Sequence, residues 1–175
     1  MNWILAMKRG QVFPILLIGG FCSILTIEGY PQLTIGIKIF GTILYALWPL
    51  LVANDLQQFI PKNIHLNFNP FLVNAFCWLA YRFGSIIIID SARITFEGLY
   101  TIPALYSVFA YFYLMAFPAK VLISIEKQRT ASLGEYIGDF FLFLFLPVGI
   151  WFLQPRLNNV LAKYTMDRLE QQKQP

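Results

Sequence analysis

Charge is scarce in this sequence, where acidic and basic residues together make up 13% of 175 residues. That is about half of the roughly 25% found in soluble domains, and it leaves too little polar surface to cover a folded core in water. Hydrophobic residues account for 58% of the chain, and the mean hydropathy is +0.61. The chain is therefore predicted to be an integral membrane protein of one domain.

Residues that bind metals or form disulfides are equally sparse. The single histidine, His65, lies in a polar connector without a partner cluster of histidine or cysteine, which argues against a zinc site. Cys22 and Cys77 each lie inside an apolar run, where cysteine packs as a small apolar side chain. A disulfide framework is not indicated, and we expect no bound cofactor.

Catalytic and nucleotide-binding motifs are absent from the sequence. It contains no HExxH, GxSxG, Walker lysine loop or GxGxxG pattern, and no internal repeat of the kind found in transporters with inverted halves. The formal charge of +4 does not indicate nucleic-acid binding, because the basic residues lie at the ends of apolar runs. An enzyme is therefore the less favoured class, although a Ser, Lys or Tyr side chain could still act as a nucleophile.

Long apolar runs separated by short polar connectors dominate the sequence. About 20 apolar residues are enough to cross the hydrocarbon core of a bilayer as a helix. We predict an all-α antiparallel bundle of four transmembrane helices in a membrane domain of residues 1–156. The predicted spans are residues 12–28, 33–53, 71–89 and 102–125. No small-residue cleavage site follows the first run, so we expect it to be an uncleaved span rather than a signal peptide.

The last apolar run, residues 136–153, is interrupted by Pro147-Val148-Gly149 and stopped by the proline that follows Gln154. We expect a short helix that is re-entrant, interfacial or a fifth span. Basic residues favour the cytoplasmic side of a membrane. Without a fifth crossing, ten of them lie inside and one outside, whereas a fifth crossing leaves six against five. A helix that does not cross, with both termini in the cytoplasm, is therefore favoured.

The tail, residues 157–175, is predicted to be polar, cytoplasmic and partly amphipathic. At helical spacing, one face carries Leu157, Val160, Leu161 and Tyr164. Such a face predicts a short helix on the membrane surface or on a partner. The segment GIWFLQPRLN, residues 149–158, is distinctive in composition but carries no motif that we can assign.

Polar and ionisable residues inside apolar spans are costly, so they are candidate functional residues by default. One helical face of the third predicted span has four semi-polar positions, and we expect it to face the protein interior or a water-filled cavity. These positions are Asn74, Trp78, Arg82 and Ser85. Glu28, Lys38 and Asp90 are expected in the same outer half of the bundle, where they complete a charged pocket or only mark the headgroup boundary.

Two carboxylates form a second candidate site. Glu135 and Asp139 are four residues apart, so they lie on one helical face just before the last apolar run. Together they could take up a proton or a cation. Alternatively, they supply negative charge at the N-terminus of a helix, which stabilises that helix.

The leading functional hypothesis is a small multi-pass membrane protein without catalytic activity, acting as a subunit or accessory component of a larger membrane assembly. Its expected partners are the lipid bilayer and either another protein or further copies of this chain, with no nucleic acid. The first alternative is a small oligomeric transporter or channel that uses Arg82 with Glu28 or Asp90. The second is an intramembrane enzyme that acts on lipid. We expect a bacterial cytoplasmic membrane, because the chain is compact and lacks eukaryotic targeting signals.

Overall fold

A computed structural model describes residues 3–89 and 101–173 of the chain. Within those residues the chain is all helical and forms no strand. The α-helices are α1 (Trp3–Ala6), α2 (Arg9–Ile24), α3 (Pro31–Leu56), α4 (Asn69–Ile89), α5 (Thr101–Lys127), α6 (Leu133–Leu144) and α7 (Leu146–Lys173). A 3₁₀ turn, Gln57–Phe59, continues the end of α3.

Among the described residues, three helices are long and apolar enough to cross a membrane: Pro31–Phe59, Asn69–Ile88 and Thr101–Lys127. They overlie the second, third and fourth predicted spans, and their lengths of 29, 20 and 27 residues exceed the predicted ones by eight, one and three residues. The first predicted span, residues 12–28, is instead a 16-residue helix, Arg9–Ile24. At 1.5 Å per residue, α2 is about 24 Å long and shorter than the ~30 Å hydrocarbon core. Three of the four predicted spans therefore correspond to helices that are long and apolar enough to cross a membrane.

The connector after α2 is a tight turn whose backbone is hydrogen-bonded. The chain becomes extended at Leu25, which ends the helix. The amide of Ile27 then donates to Thr34 Oγ1 (3.0 Å), and the Thr34 hydroxyl donates to the Ile27 carbonyl (3.1 Å). Gly29 has a positive φ of 83°, a conformation that favours glycine, and Pro31 opens α3, where no N–H is needed. Helices α2 and α3 thus form an antiparallel hairpin.

The backbones of helices α2 and α3 approach closely at two glycines. A Cβ atom on Gly41 would lie 2.7 Å from the carbonyl carbon of Cys22, and one on Gly19 would lie 3.0 Å from the amide nitrogen of Tyr45. Small residues permit such close approach of helices in membranes. The packing holds α2 along α3 for much of its length.

Helices α4 and α5 pair through aromatic rings. Phe71 stacks on Phe117 with ring centroids 4.6 Å apart, and Trp78 lies 5.4 Å from Tyr111. The outward faces of this pair are also apolar, and Phe76 there is 75% exposed. Helices that are apolar on every face are typical of membrane spans.

The last apolar run forms an antiparallel hairpin of α6 and α7, which are separated only at Phe145 (φ −99°, ψ 51°). The break predicted at Pro147-Val148-Gly149 is wrong by a few residues. Pro147 lies in the first turn of α7, where a helix tolerates proline. Gly149 packs directly on the backbone of Leu142 in α6, so it serves close packing and not the break.

Helix α7 does not stop where the sequence predicts. It passes through Pro155 and continues to Lys173, so the predicted boundary between residues 156 and 157 falls inside one helix. Proline at this position removes one N–H, which costs the helix a single hydrogen bond to the Trp151 carbonyl. Contacts of the flanking residues with the rest of the bundle hold the helix together.

The apolar face predicted for the tail packs on the protein's own bundle instead of on a membrane or partner. Its residues are Leu157, Val160, Leu161 and Tyr164. Leu157 is fully buried, and the ring of Tyr164 meets that of Phe59 edge-on at 4.7 Å. The beginning of the tail is therefore part of the folded core.

Four helix ends meet at one end of the bundle, which we call the junction end. Helix α2 begins there, α3 ends, α4 begins and α5 ends, and α7 packs on α1, α2 and α5. The ring centroid of Trp151 of α7 lies 5.8 Å from that of Phe13, near the start of α2. Arg156 of α7 binds Glu126 near the end of α5. The opposite end holds the α2–α3 turn and the beginning of α5.

Candidate functional site

An open cavity of about 560 Å³ lies between α2, α3, α4 and α5, and the tip of the α6–α7 hairpin reaches it through Pro147. Its wall is mostly apolar and aromatic, with a minority of polar side chains. The polar residues are Ser23, Thr42, Tyr45, Arg82, Ser107 and Tyr111. Both the volume and the composition are typical of ligand sites, which hold about 300–1,000 Å³ and a few placed polar groups.

Arg82 is the one charged residue among the described residues that line this cavity. It lies seven residues before the end of α4, about 10 Å along the helix axis. Its guanidinium forms no ion pair or hydrogen bond with any residue that the structure describes. A cation at that depth is costly unless an anion accompanies it. The cavity is thus suited to an anionic group.

The polar stripe predicted on α4 is only partly directed into the cavity. Trp78 and Arg82 line it. Asn74 instead accepts a hydrogen bond from the Tyr106 hydroxyl (3.0 Å) and donates to its own helix. Ser85 donates to the Arg82 carbonyl (2.8 Å). The structure therefore assembles two of the four stripe residues into the site.

Two of the other predicted charges, Glu28 and Lys38, do not line the cavity with Arg82. Glu28 is exposed in the α2–α3 turn, beyond the end of the helix that was expected to contain it. Lys38 is half-buried on α3, where its carbonyl accepts the Thr42 hydroxyl (2.8 Å). Asp90 lies outside the described residues.

A polar cluster at the junction end links three helices. Arg156 of α7 donates through Nε to Glu126 of α5 (2.9 Å) and through a second nitrogen to Asp139 of α6. Asp139 is only 7% exposed. The two carboxylates, Glu126 foremost, raise the pKa of Arg156, so its positive charge is held across the physiological range. The cluster fixes the hairpin relative to the end of α5.

Gln154 ties the start of the chain to the same region. Its side chain is buried, and Nε2 donates to the carbonyls of Ile4 (3.1 Å) and Met7 (2.8 Å). Met7 follows α1 directly, and the Ile4 carbonyl also accepts from the Met7 amide (3.3 Å), so Gln154 binds the turn that ends α1. The distinctive segment 149–158 now has a structural role, because Gly149, Gln154 and Arg156 join α6, α1 and α5 to α7.

The predicted carboxylate pair does not form one site, because each member has its own cation. Glu135 accepts a hydrogen bond from Lys127 (2.7 Å) and is also bound by Arg129. It caps α6 as well, since the amide of Ser132 donates to it (2.8 Å) in a capping box. Asp139 binds Arg156. This arrangement stabilises the helix and leaves no open pair of carboxylates for a free cation.

The charge at Glu135 predicts an acid-sensitive contribution to stability. Lys127 and the Ser132 amide lower the pKa of Glu135 from 4.5 to about 2. A carboxylate whose pKa is depressed by folding stabilises the protein above its unfolded pKa, and that contribution is lost as the pH falls through its folded pKa. We therefore expect the unfolding temperature of Glu135→Gln to fall less than that of the wild type between about pH 4.5 and pH 2. Parallel curves for the two proteins would contradict this role.

Sequence reasoning missed Glu126, Gln154 and Arg156. Glu126 and Arg156 are 30 residues apart, and no sequence pattern connects them. Charge balance could have predicted this cluster. Two acidic residues, Glu126 and Asp139, lie at the ends of the apolar segments that precede Arg156, and each needs a cation. The hydroxyls of the cavity had no comparable signal, because Thr and Ser are common on helices of any kind.

Within the described ranges, no group of three or more His, Cys, Asp or Glu side chains is placed to hold a metal ion. Comparison with known proteins assigns no function to the Arg82 cavity or to the Arg156 cluster. No family model, curated protein or solved structure matches this chain.

Proposed function

We propose that this protein crosses the membrane four times and carries the α6–α7 hairpin as a re-entrant element. The length and hydropathy of α3, α4 and α5 support three of the crossings, and the close packing of α2 on α3 supports the fourth. The contact between Arg156 and Glu126 supports the re-entrant geometry, because it returns α7 to the end of the bundle from which α6 departs.

The tip of the hairpin is suited to a site within the bilayer. Lipid cannot satisfy free backbone groups, so an interrupted helix at that depth needs internal partners. The amide of Phe145 donates to the Phe141 carbonyl (2.9 Å), and its own carbonyl accepts from Val148 (3.0 Å) and Gly149 (2.8 Å). These bonds satisfy both backbone groups of Phe145 and the first two amides of α7 after Pro147, which lowers the cost of placing the break in lipid.

The junction end is proposed to face the cytoplasm. Basic residues on or beside it include Lys8, Arg9, Lys62, Lys127, Arg129, Arg156 and Lys163. Basic loops are retained on the cytoplasmic side, so this end and both termini would lie inside. A bacterial cytoplasmic membrane stays the proposed location.

The function that the geometry supports best is binding of an anionic solute within the membrane, by a small transporter or channel. One observation carries this proposal: Arg82 lies in an open cavity of about 560 Å³ without a counter-ion among the described residues. A planar guanidinium offers several N–H donors to an anion. The hydroxyl of Ser107 lies on the same wall. The apolar remainder of the wall would exclude water and strengthen the attraction.

Anion flux through proteoliposomes tests the proposal. We expect wild-type protein to move chloride, nitrate or phosphate, Arg82→Gln to reduce that flux at least about tenfold, the effect of ~1.4 kcal/mol, and Arg82→Lys to keep part of it. Lys163→Gln is the matched control, because it removes the same charge from an exposed position on α7. Equal flux in Arg82→Gln and wild type would contradict the proposal.

The accessory-subunit hypothesis remains as a second proposal, supported by the broad apolar surface of α4 and α5, including Phe76 and Phe109. Purification in mild detergent separates the two proposals. Stoichiometric partner proteins, together with inert proteoliposomes, would favour the subunit. A chain that purifies alone and transports anions would favour the transporter.

A further inference from the structure

An apolar groove runs between α5 and α6 on the outside of the bundle, and Phe112 is the one described residue that lines both it and the Arg82 cavity. It has a volume of about 450 Å³, and its wall is almost entirely apolar. Phe112 and Phe140 form part of it, with their rings in edge-to-face contact at 6.0 Å. A linear hydrocarbon chain fits such a groove, whereas a polar solute would gain nothing there.

The groove opens into a smaller pocket of different chemistry towards the junction end. That pocket has a volume of about 240 Å³ and is lined by the polar side chains of His65, Asn67 and Lys120. Tyr113, Ala116 and Tyr136 line both the groove and the pocket, so the two are continuous. An apolar channel joined to a polar chamber matches an amphiphile with one polar end.

Lys120 gives the smaller, polar pocket a positive charge. It is half-buried, and its ammonium has no ion pair with any carboxylate in the described ranges, although Lys127, Arg129 and Arg156 nearby are all paired. It lies seven residues before the end of α5, about 10 Å from it along the axis. A lysine at that depth can extend towards the headgroups with its stem in apolar surroundings.

We propose that one phospholipid with an anionic headgroup binds here, with an acyl chain along the α5–α6 groove and its phosphate against Lys120. His65 and Asn67 supply further hydrogen-bond donors for the phosphate oxygens. The lipid would fill the gap beside the re-entrant hairpin and hold α6 against α5. The charged group of this site is Lys120 and not Arg82, so lipid binding here does not depend on the proposed anion transport.

Native mass spectrometry of the full chain, incubated with phosphatidylglycerol or phosphatidylcholine of identical acyl chains, tests the proposal. We expect one tightly retained phosphatidylglycerol and weaker retention of phosphatidylcholine. Lys120→Gln should weaken phosphatidylglycerol retention about tenfold, which corresponds to ~1.4 kcal/mol. Lys120→Arg should restore it. Lys62→Gln, which removes an exposed charge from the neighbouring connector, should leave it unchanged.

A second variant tests the groove without changing charge. Ala116→Phe places a ring where groove and pocket meet, so it should block the lipid while Lys120 is kept. The unfolding temperature of each variant in detergent identifies any that misfolds. Equal retention of the two lipids by the wild type, or undiminished retention in folded Lys120→Gln or Ala116→Phe, would overturn the proposal.

Discussion

Replacing Arg156 with methionine is expected to lower the free energy of unfolding by about 3 kcal/mol, the low end of the range for breaking a buried ion pair. The variant leaves Asp139 buried at 7% exposure without its cation, and it also removes the partner of Glu126. The low end applies because Arg156 and Glu126 are each about one-third exposed. The loss would act on the α6–α7 hairpin first.

Denaturation in detergent micelles, followed by helical circular dichroism, measures this effect. Lys163→Met is the control, because Lys163 is exposed on the same helix and surface changes alter stability within about 0.5 kcal/mol. Adding Asp139→Asn to Arg156→Met should restore part of the loss, since it removes the stranded buried charge. Similar stability of Arg156→Met and Lys163→Met would contradict a structural role for the cluster.

Gly149→Ala is expected to destabilise the hairpin by about 2–3 kcal/mol, the upper part of the range of about 1–3 kcal/mol for overpacking a core. A Cβ atom at this position would lie 2.6 Å from the carbonyl carbon of Leu142 and closer still to its oxygen. Because the obstacle is helix backbone and not a movable side chain, α6 and α7 must separate to admit it. The separation would also disturb the contacts that Pro147 makes at the cavity.

Gly138→Ala provides the matched control in the same hairpin. A Cβ atom there meets nothing within 4 Å, and alanine favours a helix over glycine by about 1 kcal/mol. This variant should therefore be neutral or more stable than the wild type. Measured under one condition and relative to the wild type, the free energy of unfolding should fall for Gly149→Ala and stay equal or rise for Gly138→Ala. If Gly149→Ala is as stable as Gly138→Ala, the close packing of α6 on α7 is wrong.

The positions of the long helices could be predicted because only length and hydropathy decide them. Helices α3, α4 and α5 overlie predicted spans, and errors are confined to a few residues at their ends. The exact end of α2 could not be predicted. It depends on the contact between Ile27 and Thr34, which joins residues across a turn.

Proline and glycine misled the prediction in the last apolar run. Both residue types commonly mark breaks, and Pro147, Gly149 and Pro155 were interpreted in that sense. In the structure, Pro147 lies in a first turn and Pro155 is held inside a helix by surrounding contacts. Gly149 serves packing instead. Proline and glycine are thus each compatible with several local structures, and the residues packed around them decide which one forms.

Two residues of the candidate site, Arg82 and Trp78, could be predicted from the sequence, and both came from the stripe on α4. Arg82 stood out because a cation deep in an apolar span is rare and costly. Its neighbours at the cavity, Thr42, Ser107 and Pro147, come from three other helices and carry no pattern of their own. The packing of α3, α5 and the hairpin decides which of these residues lie beside Arg82. That packing cannot be predicted from the pattern of a single sequence.

Membrane sidedness of single cysteines tests the proposed topology most directly. In a chain with Cys22 and Cys77 replaced by alanine, cysteines at Glu28, Thr130 and Asn159, all exposed positions, would be labelled from each side of sealed vesicles. With a re-entrant hairpin, Thr130→Cys and Asn159→Cys should react from the same, cytoplasmic side, and Glu28→Cys should react from the other. Labelling of Thr130→Cys and Asn159→Cys from opposite sides would mean that the last apolar run crosses the membrane, and it would contradict the re-entrant hairpin.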